Sequence, residues 1–241
     1  MLCSWCIPDP TIQAVKVSSI KLRTFLVKKI KISNQEVLQL LLQKRVLLNG
    51  NPANGSDSVS ERDEVSVDGK IAQEKEKYTY IRFYKPRGIE STLNKNIPDN
   101  LTTVFKYPKK LFPVGRLDKE SEGLMLFTDD GVFYKKVTQS NTKVEKEYLV
   151  IVDKMISDEF MESMRMGVTI MGKKTKPAIV EVTSAKNTFN IILTEGMNRQ
   201  IRRMCYKLGY EVLTLIRVRI GNTNITNLKV REWDEIDLPI V

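Results

Sequence analysis

The chain has 241 residues, 41% hydrophobic and 28% charged, enough for a buried core in one large domain or two smaller ones. Lys and Arg number 39 against 29 Asp and Glu, and the net charge of +10 favours polyanionic partners, nucleic acid before an acidic membrane surface. No apolar run approaches the roughly 18 residues needed to span a bilayer, and the start lacks the basic-then-apolar order of a secretory leader, so a cytoplasmic protein is expected.

Residues 1–15 include Pro8 and Pro10, show no periodicity and read as a flexible lead-in. Their Cys3-Ser4-Trp5-Cys6 would need further ligands to hold zinc, and the chain has no histidine and only three cysteines. The missing histidine also excludes Ser-His and Cys-His nucleophile pairs and an imidazole base. Any catalysis must rest on carboxylate, tyrosine, lysine or water.

From Lys21 the spacing of Leu22, Phe25, Leu26 and Lys29 predicts a short helix. A second begins at Ser33, an N-cap with Glu36 three positions on, and Val37, Leu38, Leu41 and Leu42 fall at helical spacing. Val46-Leu47-Leu48 runs into Asn49-Gly50, a strong hairpin signal, and the strand Glu64–Val67 ends at Asp68-Gly69. The polar stretch 71–77 reads as a linker between a small module, 16–70, and a larger domain, 78–241. In that domain Tyr78–Tyr84 alternates as a strand before Lys85-Pro86-Arg87-Gly88. A helix is predicted over Val132–Gln139, a strand over Tyr148–Val152, a helix over Ser157–Met166 capped by Ser157, and a strand over Phe189–Thr194. Irregular alternation of this kind indicates α+β and not a doubly wound sheet.

Two segments concentrate chemistry. In Gly115-Arg116-Leu117-Asp118-Lys119-Glu120-Ser121-Glu122-Gly123 a carboxylate, Asp118, sits between glycines that permit tight turns, directly before the apolar run Leu124–Phe127. In Gly196–Gly209 the residues Ile201, Met204, Cys205 and Leu208 form one apolar stripe, with Arg199, Arg203 and Lys207 opposite. Asn198 is the expected N-cap and Gly209 the expected stop. Arginines at a helix N-terminus make a phosphate site.

The run Gly115–Gly131 closely resembles the catalytic motif of pseudouridine synthases, in the branch acting on single uridines of ribosomal RNA. Lys85–Gly88 resembles that family's "KPxG" motif, Lys146-Glu147-Tyr148-Leu149-Val150 its tyrosine motif, and "MNRQIRRMC" with "GYEVLTLIRVRI" its third motif. The chain is thereby identified as similar to the RsuA/RluB/RluE/RluF family, nearest the RluF type. The order of two helices and a strand-turn-strand ending in "VDGK" resembles the alpha-L, or S4-like, RNA-binding module of the branch. Here Ser33 is followed by Asn34-Gln35 where family members carry arginine.

The resemblance implies an α+β catalytic domain on a mixed, mainly antiparallel sheet with flanking helices. It implies isomerisation of a ribosomal RNA uridine, in 23S RNA, with Asp118 as nucleophile, Tyr148 stacking on the extruded base and Arg202 as ion-pair partner of the acid. Small-subunit ribosomal RNA and transfer RNA remain alternative substrates. Arg116 would enter the space left by the uridine or hold its phosphate, and Ile201 would floor the base. Leu117, Lys119, Asn198, Arg199, Gln200, Arg203 and Lys85 complete the expected RNA contacts, with Lys106, Lys109 and Lys110 as nearby cations. No metal or other cofactor is needed, no membrane is involved, and a monomer is expected.

Two other readings compete. A ribosome-assembly factor could keep this fold without turnover, but Asp118, Tyr148 and Arg202 are all in place. A metal nuclease would use Asp118, Glu120, Glu122, Asp129 and Asp130, acids better explained as turn and cap residues in basic surroundings. Asp118 alone would read as a turn cap, and Tyr148 alone as strand packing.

Overall fold

The computed structural model describes residues 19–139 and 143–240. The Cys3/Cys6 pair and the lead-in therefore lie outside the described residues. The chain divides between Tyr78 and Thr79 into two compact units.

The first unit holds β1 (Ile20–Lys21), α1 (Leu22–Ile30), α2 (Asn34–Leu42), β2 (Val46–Leu48), β3 (Asn51–Pro52), β4 (Ser58–Val59), β5 (Val65–Val67) and β6 (Lys70–Gln73). Strands β3-β2-β5-β6 form one antiparallel sheet, and β1 pairs with β4. The Asn49-Gly50 turn forms as expected, at φ 51° and 81°, and Asp68-Gly69 makes a second tight turn at φ 52° and 74°. The capping box is complete: Ser33 Oγ accepts from the Glu36 amide, and Glu36 accepts from the Ser33 amide.

Leu22, Phe25, Leu26, Val37, Val46, Val59 and Val65 make the small core. Two expectations change. The apolar stripe of α2 is narrower than its spacing suggested, because Leu38 and Leu42 are exposed. The linker begins later than residue 71, because Lys70–Gln73 turns back at Asp68-Gly69 to pair with β5.

The second unit opens with β7 (Tyr80–Lys85), α3 (Leu101–Val104), β8 (Phe112–Val114), β9 (Glu122–Thr128), α4 (Gly131–Thr138) and β10 (Lys146–Val152). It continues with α5 (Asp158–Met166), β11 (Thr169–Ile170), β12 (Lys173–Lys174), β13 (Ile179–Val182), β14 (Thr188–Leu193) and α6 (Gln200–Lys207). β15 (Val212–Ile220), β16 (Thr223–Asn224) and β17 (Trp233–Ile236) complete it.

Nine strands share one sheet in the order β13-β14-β10-β15-β9-β7-β17, with β16 on β15 and β8 on β9. Its pairings are antiparallel except the join of β15 to β9, where Ile216 faces Glu122 and Arg217 faces Gly123. The result is the mixed, mainly antiparallel α+β sheet expected.

That parallel join divides the packing. Val150, Phe160, Met164, Phe189, Ile191, Ile201 and Met204 belong to one cluster, over the β13-β14-β10-β15 half. Ile81, Phe83, Phe105, Leu117, Met125 and Phe127 belong to another, on the β7-β9 half. Tyr148 packs against both clusters. Two of the acids weighed as metal ligands have structural duties: Asp130 caps α4 through the amides of Val132 and Phe133, and Asp129 accepts from the Thr79 amide.

Candidate active site

Residues 115–121 form the connection from β8 into β9, and Gly115 takes φ 81° to enter it. Six consecutive carbonyls here accept hydrogen bonds. Arg217 Nη1 reaches Arg116 O at 3.3 Å, and Ser91 Oγ reaches Leu117 O at 2.6 Å. The Ser121 amide and Lys85 Nζ reach Asp118 O at 3.0 and 3.4 Å. The Gly88 amide donates to Lys119 O at 2.7 Å, Arg202 Nη2 to Glu120 O at 3.0 Å, and Lys85 Nζ to Ser121 O at 2.8 Å. Ser91 Oγ also accepts from the Leu117 amide at 3.0 Å. A loop with six consecutive carbonyls held loses the freedom that loops ordinarily keep, which is how a scaffold pre-positions a side chain.

The Asp118 side chain is half-buried. Among the described residues its carboxylate makes no hydrogen bond within 3.5 Å and no ion pair within 4.0 Å, although Lys85 and Arg202 both feel its charge. Three buried side-chain polar atoms lack a protein partner among the described residues: Ser121 Oγ, Arg202 Nε and Arg217 Nη2. All three belong to the loop or to residues that bind it. Unmatched buried donors carry a desolvation cost and call for an explanation beyond packing.

Arg202 does not sit where the ion-pair expectation put it. Its Nη1 donates to Val212 O at 3.0 Å, its Nη2 to Glu120 O, and its nearest carboxylate is that of Glu120 at 4.0 Å. Arg199 holds the same Glu120 carboxylate at 2.8 Å. Helix α6 is thus strapped to the loop through one residue, Glu120, by its carbonyl and its side chain. The Arg199 hydrogen bond and charge keep the Glu120 carboxyl below the usual carboxylate range. Burial lowers the pKa of Arg202, partly countered by the charges of Glu120 and Asp118.

Lys85 needs the plainest correction. It was expected at the RNA surface, but it is 0% exposed and its ammonium donates to Pro86, Asp118 and Ser121 carbonyls. Burial, then the nearby Arg217 charge, brings its pKa down to about 8. Leu117 and Gln200 are likewise buried and do not offer side chains to a surface partner, while Ile201, expected as a floor beneath the base, lies in the buried cluster with Met204. Gln200 accepts from the Met197 amide and donates to Glu195.

Asn198 does not cap α6. Its oxygens are taken by Arg203, and the cap position falls to Arg199 at φ 49° with no side-chain bond. Arg116 and Arg203 are exposed, and exposed Lys119 lies 3.6 Å from Asp99. Tyr148 occupies β10 beside a bulge, opposite Arg217. The structure thus gathers Arg116, Asp118, Arg202 and Arg199 around one loop, with Tyr148 one strand from its Arg217 anchor.

Arg217, Ser91 and Glu120 were missed as site residues. Arg217 is 2% exposed and donates from Nε to Leu124 O at 2.7 Å, besides holding Arg116 O. Its sequence signals were its place in the "GYEVLTLIRVRI" run and its setting, with Arg219, inside the otherwise largely apolar strand Val212–Ile220. A buried charge is retained where it is well hydrogen-bonded.

Residues 79–207 match the model of the RNA pseudouridylate synthase family. The chain is 39% identical over 221 residues to the dual-specificity RNA pseudouridine synthase RluF of Escherichia coli K12, covering 91% of this chain and 76% of the relative. It is 35% identical to an uncharacterised RNA pseudouridine synthase of Aquifex aeolicus, covering 90% and 92%. It is 30% identical to the ribosomal large subunit pseudouridine synthase B of Bacillus subtilis, covering 85% and 86%. A crystal structure of a pseudouridylate synthase superposes with a TM-score of 0.62 at 28% identity, covering 90% of this chain and 96% of that one. With the strand before the Asp118 loop, the loop and the arginine-bearing helix all inside the matched region, the chain belongs to the RNA pseudouridylate synthase family.

Proposed function

We propose that this enzyme isomerises a specific uridine of ribosomal RNA to pseudouridine, with Asp118 as its nucleophile. The observation that carries the reading is the contrast within one loop: six carbonyls held, and the Asp118 carboxylate left without a partner among the described residues. A nucleophile must be fixed in place yet uncommitted, and covalent attachment divides glycosidic cleavage and carbon–carbon joining into easier steps. The exchange is an isomerisation: the bond from ribose C1′ to N1 of uracil breaks, the bond from C1′ to C5 forms, and a proton moves from C5 to N1. No oxidant, reductant or metal is consumed.

The target must leave its stack to reach such a loop. Exposed Arg116, two residues before Asp118, is suited to the vacated position or its phosphate. Tyr148 supplies a ring beside the site for the extruded uracil. Arg202 acts mainly by holding Glu120 and by its charge, and Arg199 and Arg203 supply cations for phosphate. A relative named for the large ribosomal subunit and another named for the small subunit support ribosomal RNA as substrate.

The unit before Thr79 reads as an S4-like RNA-binding module, acting with a monomeric catalytic unit that needs no cofactor. Arg23 of α1 donates to Asn34 Oδ1 at 3.0 Å, so a guanidinium stands at the start of α2 where the family's own arginine is absent. The test is to map pseudouridine in ribosomal RNA from cells with and without this protein. One site lost on deletion and regained with the wild-type gene supports the reading. An unchanged map, together with no isomerisation of ribosomal RNA transcripts by the purified enzyme, overturns it.

A further inference from the structure

One groove near the loop does not include Asp118 or Tyr148 in its lining. It has a volume of about 820 Å³ and is lined by α6, by residues of the β11–β12 hairpin, and by Arg87 and Glu120. Its volume is in the range that holds a drug-sized ligand and is ample for a nucleotide. Five cations line it against two carboxylates, and one of the two, Glu120, is already paired with Arg199.

Two side chains here have no role in packing. Tyr206, on α6, is 83% exposed and makes no ring contact among the described residues. Met171 is 60% exposed at the tip of the hairpin, where Met171 and Gly172 take φ 51° and 75° in a tight turn. Arg203 and Lys207 lie three positions before and one after Tyr206. A solvent-exposed aromatic ring flanked by cations, in one groove with a polarizable thioether, suits an unpaired base with phosphates on either side. A helical RNA keeps its bases stacked on one another and offers such a ring nothing to receive.

We infer that this groove is a second nucleotide subsite, in which a base neighbouring the target uridine stacks on Tyr206 while Arg203 and Lys207 hold its phosphates. The inference rests on the RNA-isomerising reading above and extends it. Continuity favours this occupant, since Arg202 both lines the groove and holds the Asp118 loop. A strand entering through the groove would reach the loop past Arg202. The nucleotide there is recognised by stacking and charge, so the subsite selects for unpaired RNA and is tolerant of base identity.

The test uses the full chain with a short fluorescent single-stranded RNA and, separately, an RNA hairpin of equal charge. Tyr206→Ala should weaken the single strand by about 5–100-fold, the range that loss of one stacked base produces, and should leave hairpin binding close to wild type. Tyr206→Phe should bind as wild type, because the ring and not the hydroxyl does the stacking. Lys207→Ala should lower affinity and flatten its salt dependence. Thermal unfolding of each variant confirms the fold, and position 206 is exposed enough to tolerate all of them. Wild-type Kd for Tyr206→Ala, or equal losses on both RNAs, overturns the subsite. That failure is separable from failure of the function itself, which shows as wild-type enzyme binding RNA through the groove without isomerising uridine.

Discussion

Gly123 and Arg217 face each other across the parallel join so closely that a Cβ on Gly123 would lie 2.4 Å from the Arg217 carbonyl oxygen and 2.6 Å from its amide nitrogen. Gly123 also takes φ 110°, where side chains are strained. Gly123→Ala should therefore cost roughly 2–4 kcal/mol from backbone clash and strain together. Urea unfolding measures it, and a loss under about 0.5 kcal/mol, the scale of ordinary surface substitutions, would show that the join relaxes.

Asp118→Asn keeps the size and half-buried setting of the side chain while removing its charge. It should fold and bind RNA as wild type, and tritium release from C5-labelled uridine RNA should fall by roughly 10³-fold or more, the scale seen when a nucleophile is removed. Wild-type release would remove Asp118 from the chemistry.

Glu120 and Arg202 separate the two straps between α6 and the loop. Glu120→Ala deletes an exposed ion pair and leaves the carbonyl bond, so its stability cost should stay within about 1 kcal/mol. Arg202→Met deletes two charged hydrogen bonds to carbonyls and should cost about 2–4 kcal/mol. Denaturant midpoints compare them. Equal costs would mean that the carboxylate, and not the backbone, carries the strap.

Lys85 gives a pH signature of definite sign. A buried ammonium with its pKa brought from the usual 10.5 to about 8 is least favourable to folding below pH 8, where the folded chain still holds it charged. Between pH 8 and 10.5 the unfolded chain binds more protons than the folded one, so this group's contribution to stability rises with pH. Lys146 is shifted to about 8 by the same two causes and adds to the rise. The stability difference between wild type and Lys85→Met should move in the wild type's favour across that window. A difference flat from pH 7 to 10 would place the Lys85 ammonium in solvent contact.

Local signals were legible where a few adjacent residues decide the outcome. Asn49-Gly50, Asp68-Gly69, the Ser33/Glu36 box and the α6 stripe of Ile201, Met204 and Cys205 need no knowledge of the rest of the chain. The β11–β12 hairpin was missed because two-residue strands leave no periodicity, and only Gly172 hinted at a turn. The duties of Ser91 and Arg217 depend on strand order, since each meets the loop from far along the chain. Lys85 misled for a related reason: a lysine beside an arginine in a basic protein reads as surface until the crossing of β7 under the loop encloses it. Asn198 had the right chemistry for a cap, but Arg203 competes for the same oxygens.

The anchors of the Asp118 loop come from Lys85, Gly88 and Ser91 on one side of it in the chain and from Arg202 and Arg217 far downstream. A ribosome releases these in order, so the acid emerges about a hundred residues before its final tether. Until residue 217 has been made, the loop therefore lacks the hydrogen bond to its Arg116 carbonyl, and β9 lacks the one to its Leu124 carbonyl. The last-made of the loop's anchors thus belongs to the strand that also joins the two halves of the sheet, where β15 lies beside β9.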